Sequence, residues 1–141
     1  MRSLATLIVG VLAVGLGALA QDKTVIKKVP MKMTSAIDGA EMFKAYCASC
    51  HGVDADGNGP AAAALKKLPG NLTRLSERNN GKFPVARVQA MIQGAEGVDA
   101  HGSREMPVWG PLFRMLGTNP NSQEKLRIYN LMKYLESIQK L

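Results

Sequence analysis

The chain has 141 residues, is 46% hydrophobic and carries a formal net charge of +7 from 18 basic and 11 acidic side chains. That length holds one domain and not two. The basic balance favours acidic partner surfaces or anionic membrane, and no basic stretch interleaved with aromatics supports nucleic-acid binding.

Arg2 opens the chain with a positive charge, and an apolar run follows from Leu4 to Ala20, broken only by small residues and Thr6. Ala18-Leu19-Ala20 has the small-x-small form of a cleavage site, so residues 1–20 read as a secretory signal peptide cut before Gln21. The alternative is an uncleaved membrane anchor, for which the run is short and rich in Gly and Ala. Residues 21–33 place Lys23, Lys27, Lys28 and Lys32 against a single acid, Asp22, and contain Pro30; they read as a basic arm or linker. The folded domain is expected over residues 34–141, all-α and built around one core.

Ala36 to Tyr46 is predicted helical, with Ser35 as N-cap, Asp38 and Glu41 in the early turns, and Ile37, Met42, Phe43 and Tyr46 at helical spacing. It runs directly into Cys47-Ala48-Ser49-Cys50-His51, which contains the only two cysteines of the chain. Two thiols three positions apart with a histidine after the second is the pattern for covalent c-type haem attachment. The thiols add across the two haem vinyl groups, and the adjacent imidazole reaches the iron from beneath the porphyrin plane. Rival readings are a redox dithiol, which expects a strand before the motif, and a zinc site that recruits the distant His101, with His51 awkwardly close to Cys50. A simple disulfide would close a small loop and stabilise little. Haem attachment needs an oxidising, extracytoplasmic compartment, which agrees with the export signal and points to a bacterial periplasm.

Gly52 to Gly59 is turn-rich, and Pro60 to Leu68 is a candidate short helix with proline at its first position. Pro69-Gly70 is a turn, Leu72 to Ser76 a further short helix, and Asn79-Asn80-Gly81 a break. Phe83 to Gln93 is helical by pattern with Gly94 just past its end. Gly94 to Pro111 reads as a loop. The last helix is expected from Asn121 or Ser122, with Asn121 and Glu124 as a capping box, to about Gln139, with Leu126, Tyr129, Met132, Leu135 and Ile138 as its apolar stripe.

A haem with one protein ligand has an open site for chemistry, whereas one with two is usually an electron carrier. Met42, Met91 and Met132 fall on helix faces as core filler, Met31 and Met33 precede the haem motif, and Met115 is a weak candidate. Met106 stands in Gly102-Ser103-Arg104-Glu105-Met106-Pro107-Val108-Trp109-Gly110, a polar loop stiffened by Pro107. It is the favoured second ligand, since Met with His is a known haem pair. His101, five residues earlier, is the alternative.

With these residues the chain resembles the monohaem class I c-type cytochromes of the bacterial, soluble periplasmic type. The resemblance is carried by Gly39 and Phe43, the Cys47-to-Gly52 stretch, Gly59-Pro60, Met106-Pro107-Val108-Trp109-Gly110, and Tyr134-Leu135. It implies a small cytochrome c fold, with first and last helices packed crosswise at Gly39 and Tyr134 and loops wrapping one haem c. It also implies that the Pro60 carbonyl accepts a hydrogen bond from the His51 ring, and that Trp109 packs near the haem edge with its indole N–H toward a propionate. Arg74, Arg78, Arg87 and Arg104 are candidate propionate partners.

The function expected is that of a one-electron carrier, not an enzyme, with metal ligands His51 and Met106 and cofactor contacts from Cys47, Cys50, Pro60 and Trp109. It would shuttle electrons between periplasmic or membrane redox partners of a respiratory chain that present acidic docking surfaces. The rivals are an electron-transfer subunit of a larger dehydrogenase or oxidase, docked by the basic arm, and a haem peroxidase or gas-binding protein with a labile sixth ligand and His101 as its distal group.

Overall fold

A computed structural model describes residues 31–94, 106–117 and 119–140; the signal peptide, most of the basic arm, His101 and Arg104 lie outside them. The first helix, α1, spans Gly39–Tyr46 and starts three residues later than the apolar pattern predicts. Asp38 decides this: its carboxylate accepts from Glu41 N at 2.8 Å, while the Glu41 carboxylate accepts from Ser35 N at 2.9 Å. The acidic cap thereby outcompetes Ser35 and leaves Ile37 exposed before the helix. A one-turn helix, α2, follows at once over Ala48–His51.

Four alanines after Pro60 favour a helix, yet only one 3-10 turn forms, at Ala62–Ala64, before Leu65 turns extended. Two more 3-10 turns, Leu72–Arg74 and Glu77–Asn79, replace the helix predicted over residues 72–76. Local propensity is overridden here because the chain must double back against α2. Helix α3 spans Val85–Gln93 and ends as predicted on Gly94, whose φ of 74° is left-handed and whose N–H reaches the Ala90 and Met91 carbonyls.

Helix α4, Trp109–Arg114, lies where the Gly-Pro content predicts loop. Pro111 is its third residue, in the first turn, where no intrahelical N–H is required. Helix α5 spans Pro120–Ser137, with Pro120 at its first position and Asn119 before it. The predicted Asn121–Glu124 capping box does not form. Glu124 is buried and pairs instead with Arg114 of α4. The predicted apolar stripe holds from Met132 on, where Leu135 is buried and Met132 and Ile138 pack against the core, but shifts earlier in α5: Ile128 and Leu131 are buried while Leu126 and Tyr129 are exposed.

These helices pack around α5, which contacts α1, α3 and α4; no strand occurs among the described residues. The α1–α5 crossing is as close as expected at Gly39. A Cβ there would sit 2.7 Å from Tyr134 Cβ and nearer still to the Asn130 carbonyl oxygen, so only glycine lets the two backbones meet. One turn on, Phe43 and Tyr134 stack with centroids 5.4 Å apart. Met42, Phe43, Phe113, Ile128 and Leu131 form the fully buried centre. No helix among the described residues is long and apolar enough to cross a membrane.

The last residues of the basic arm join this core. Met31 packs against it, and the Tyr46 hydroxyl donates to the Lys32 carbonyl at 2.6 Å. Thr34 Oγ1 lies 2.9 Å from the same phenol and accepts from Arg127, whose second terminal nitrogen reaches the Thr34 carbonyl at 3.0 Å. Arg127 is only 3% exposed, so this clasp holds a buried guanidinium on neutral oxygens.

Candidate haem-binding site

The attachment motif is a short helix with few internal bonds, so its last carbonyls need outside donors. The following loop supplies them: Ala61 N donates to Ser49 O at 2.8 Å, Gly59 N to Cys50 O at 3.1 Å, and Gly57 N to His51 O at 2.8 Å. The approach is tight. A Cβ at Gly59 would lie 2.6 Å from the Cys50 carbonyl carbon and 2.7 Å from the Ala48 carbonyl oxygen. The spacing of glycines after the motif thus builds a cap of main-chain amides over α2.

His51 is buried, and its Nδ1 lies 3.2 Å from the Gly70 carbonyl. A carbonyl can only accept, so Nδ1 carries the proton of the neutral ring and Nε2 is left as the nitrogen with a lone pair for a metal. The carbonyl found beside Nδ1 belongs to Gly70, where the family resemblance implies Pro60. Pro60 is exposed and does not line the cavity described next; the loop has to run on to Pro69-Gly70 before it returns to the ring. Asn71 shapes that return by an Asx turn, its Oδ1 accepting from Thr73 N at 2.9 Å and Thr73 Oγ1 at 2.7 Å.

His51 opens onto a cavity of about 270 Å³ whose apolar walls include Phe43, Leu72, Val88, Ile92 and Leu135. A buried water needs only ~10–15 Å³ on the same measure, so this space is shaped for a large, mostly apolar group. Cys47, Met106 and Trp109 line it together with His51. The structure therefore brings four of the six predicted site residues together, from α1's end, α2, the Met106 segment and α4. Cys50 is half-buried one turn from Cys47 and does not line the cavity; the Ser49 hydroxyl lies 3.9 Å from its sulfur. Trp109, Tyr46 and Phe113 form a triangle of rings: Trp109 lies tilted against Tyr46 at 5.4 Å and stacked on Phe113 at 5.8 Å, and Tyr46 meets Phe113 at 5.7 Å.

Of the candidate propionate partners, Arg78 and Arg87 line the cavity, whereas Arg74 is engaged with Glu77 at 3.1 Å on the surface. Both cysteines are free thiols. Burial, and then the neighbouring Cys50, push the Cys47 thiol up to about 12. A thiol kept protonated is a poor nucleophile at neutral pH, which argues against Cys47 as the attacking thiol in the folded chain. No cluster of three or more Cys, His, Asp or Glu able to hold a metal occurs among the described residues, and His101, which the zinc reading recruits, lies outside them.

The family model for cytochrome c matches residues 36–139, which span both the cavity and the crossed helices. The chain belongs to the cytochrome c family. No curated protein and no solved structure matches it significantly. Membership in the cytochrome c family implies a covalently attached haem, and the donor set fits one: paired thiols, a buried imidazole with an oriented proton, and a wide apolar cavity beside them. Proteins of this family generally transfer electrons rather than catalyse bond chemistry.

Sequence reasoning missed Gly70, Asn71 and the amides of Gly57 and Ala61. Each acts through its main chain or a local turn, and the available signal was the clustering of turn residues around the motif.

Proposed function

We propose that this cytochrome c is a one-electron carrier of an extracytoplasmic compartment, with His51 and Met106 as the axial pair of a single haem c joined through Cys47 and Cys50. The observation that carries this reading is that Met106 lines the same cavity as His51 and Cys47. Bound there, the haem supplies an iron that cycles between ferric and ferrous states. The chain's own residues do the rest. Gly70 holds the His51 proton on Nδ1, and a partner at that position raises the basicity of the ligand. The Met106 thioether is neutral and soft, and favours the ferrous state. Apolar side chains from α3 and α5 exclude water from the cavity. Arg78 and Arg87 line the same cavity, and their positive charge suits redox partners with acidic docking surfaces and predicts salt-sensitive encounter. The amino-terminal apolar run supports export to a bacterial periplasm.

An intact-mass measurement with a pyridine haemochrome spectrum on exported protein tests the assignment. One haem added covalently, and a mass lacking residues 1–20, are the expected results. A mass without haem defeats the proposal.

A further inference from the structure

Four successive main-chain carbonyls, from Gly70 to Thr73, each have a partner from a different source. Gly70 O faces His51 Nδ1, and Asn71 O accepts from the Arg78 guanidinium. Leu72 O accepts from Gln139 Nε2 at 2.8 Å, and Thr73 O from Lys140 N at 2.7 Å. The last two donors belong to the residues just beyond the end of α5. Gln139 uses its whole amide there, since Oε1 accepts from Ser76 N at 2.9 Å and Nε2 also reaches Leu135 O at 2.7 Å.

A Cβ built on Gly70 meets nothing within 4 Å, so the open side of the residue does not hold it. Its peptide passes close to Gly57 on the other side, and the loop that carries its carbonyl is tied by the tethers of the residues that follow, with Leu72 N donating to Ala55 O at 2.8 Å among them. Gln139 does not line the cavity; it reaches the His51 side of the site through this loop, and the far side through Leu135 O of its own helix.

We propose that Gln139, from the carboxy-terminal end of α5, positions the Gly70 carbonyl and thereby sets the strength of its hydrogen bond to His51 and the reduction potential. The inference rests on His51 as an iron ligand. Gln139 is a positioning residue: it anchors Leu72 and Ser76, these fix the path of the loop, and the loop presents the Gly70 oxygen to the ring. A slackened loop weakens the bond, lowers ligand basicity and makes the ferric state less favourable.

The test uses the haem-loaded protein as wild type, Gln139→Leu, Gln139→Glu and, as a control on the exposed side of the same helix end, Ser137→Ala. The readouts are the exchange rate of the His51 ring N–H, the paramagnetically shifted ¹⁵N signals of that ring, and the potential by redox titration. Expected is ring N–H exchange about tenfold faster in Gln139→Leu, the factor corresponding to one lost hydrogen bond, with a more positive potential. Gln139→Glu keeps the acceptor for Ser76 but turns a carboxylate oxygen toward the Leu72 and Leu135 carbonyls in place of the donor, so exchange is again faster than in wild type; if the leucine variant does not fold, this variant decides. Ser137→Ala stays at the wild-type values. Unchanged exchange and potential in the Gln139 variants, or a lower melting temperature alone, overturns the inference. Absence of shifted His51 ring signals in the wild type overturns the ligand assignment instead.

Discussion

The two walls of the cavity are built by different means. On the histidine wall, α2 and the His51 ring are held by main-chain hydrogen bonds from Gly57, Gly59, Ala61 and Gly70. On the methionine wall, the segment from Met106 into α4 is held by side-chain packing. A Cβ at Gly94 would strike the Val108 side chain, a Cβ at Gly110 would lie 2.9 Å from the Gln93 carbonyl, and Trp109 packs against Tyr46 and Phe113. Directional bonds to backbone fix one geometry, whereas packed side chains tolerate changes that conserve volume. The wall that carries the covalent attachment is thus the more exacting of the two.

Gly59→Ala strikes the histidine wall hardest. The new Cβ meets the backbone of Ala48, Ser49 and Cys50, with no flexible side chain to displace, so a loss of about 3 kcal/mol is expected in urea unfolding of the holoprotein. A loss below ~1 kcal/mol would mean that this wall yields as readily as the other. Met106→Ala probes the opposite wall. Met106 is only half-buried, so unfolding should shift by no more than about 1–2 kcal/mol, while the thioether–iron charge-transfer band of the ferric spectrum disappears. Persistence of that band assigns the sixth ligand elsewhere.

Cys47 allows a finer comparison by pH in the haem-free chain. Its thiol is raised from the ordinary 9.0 to about 12, so the neutral form is favoured by folding. The stabilisation is whole below pH 9 and is lost as pH rises through 9 toward 12, because the unfolded chain ionises first. The urea midpoint should therefore be lower at pH 10.5 than at pH 7, and Cys47→Ser should flatten that fall. An equal fall in both proteins places its origin outside this wall.

How much of this was legible in the sequence follows the same division. Side-chain chemistry at fixed spacing was readable: Cys47, Cys50 and His51 announce the cofactor, Gly39 and Tyr134 the helix crossing, and Met106 and Trp109 the far wall. Gly70 was not, because a carbonyl has no sequence signature and any residue could supply it. The first part of the α5 stripe was misread because Arg127 and Glu124 take buried positions that a hydrophobic pattern assigns to water, whereas Met132, Leu135 and Ile138 were legible. Pro111 hid α4 because a proline in a first turn looks the same as one in a loop.

Trp109 is the only tryptophan of the chain, and it stands on the packed wall of the cavity. Its position gives the protein an optical gauge of its own. Indole excitation passes to a strongly absorbing group held in the same cavity, so the haem-loaded protein should be dark at tryptophan wavelengths and brighten as this wall swings outward. Iron spectroscopy follows the histidine wall at the same time. Emission recorded beside the haem bands along a denaturant titration then reports which wall opens first, and emission is expected to rise before the His51 signature is lost.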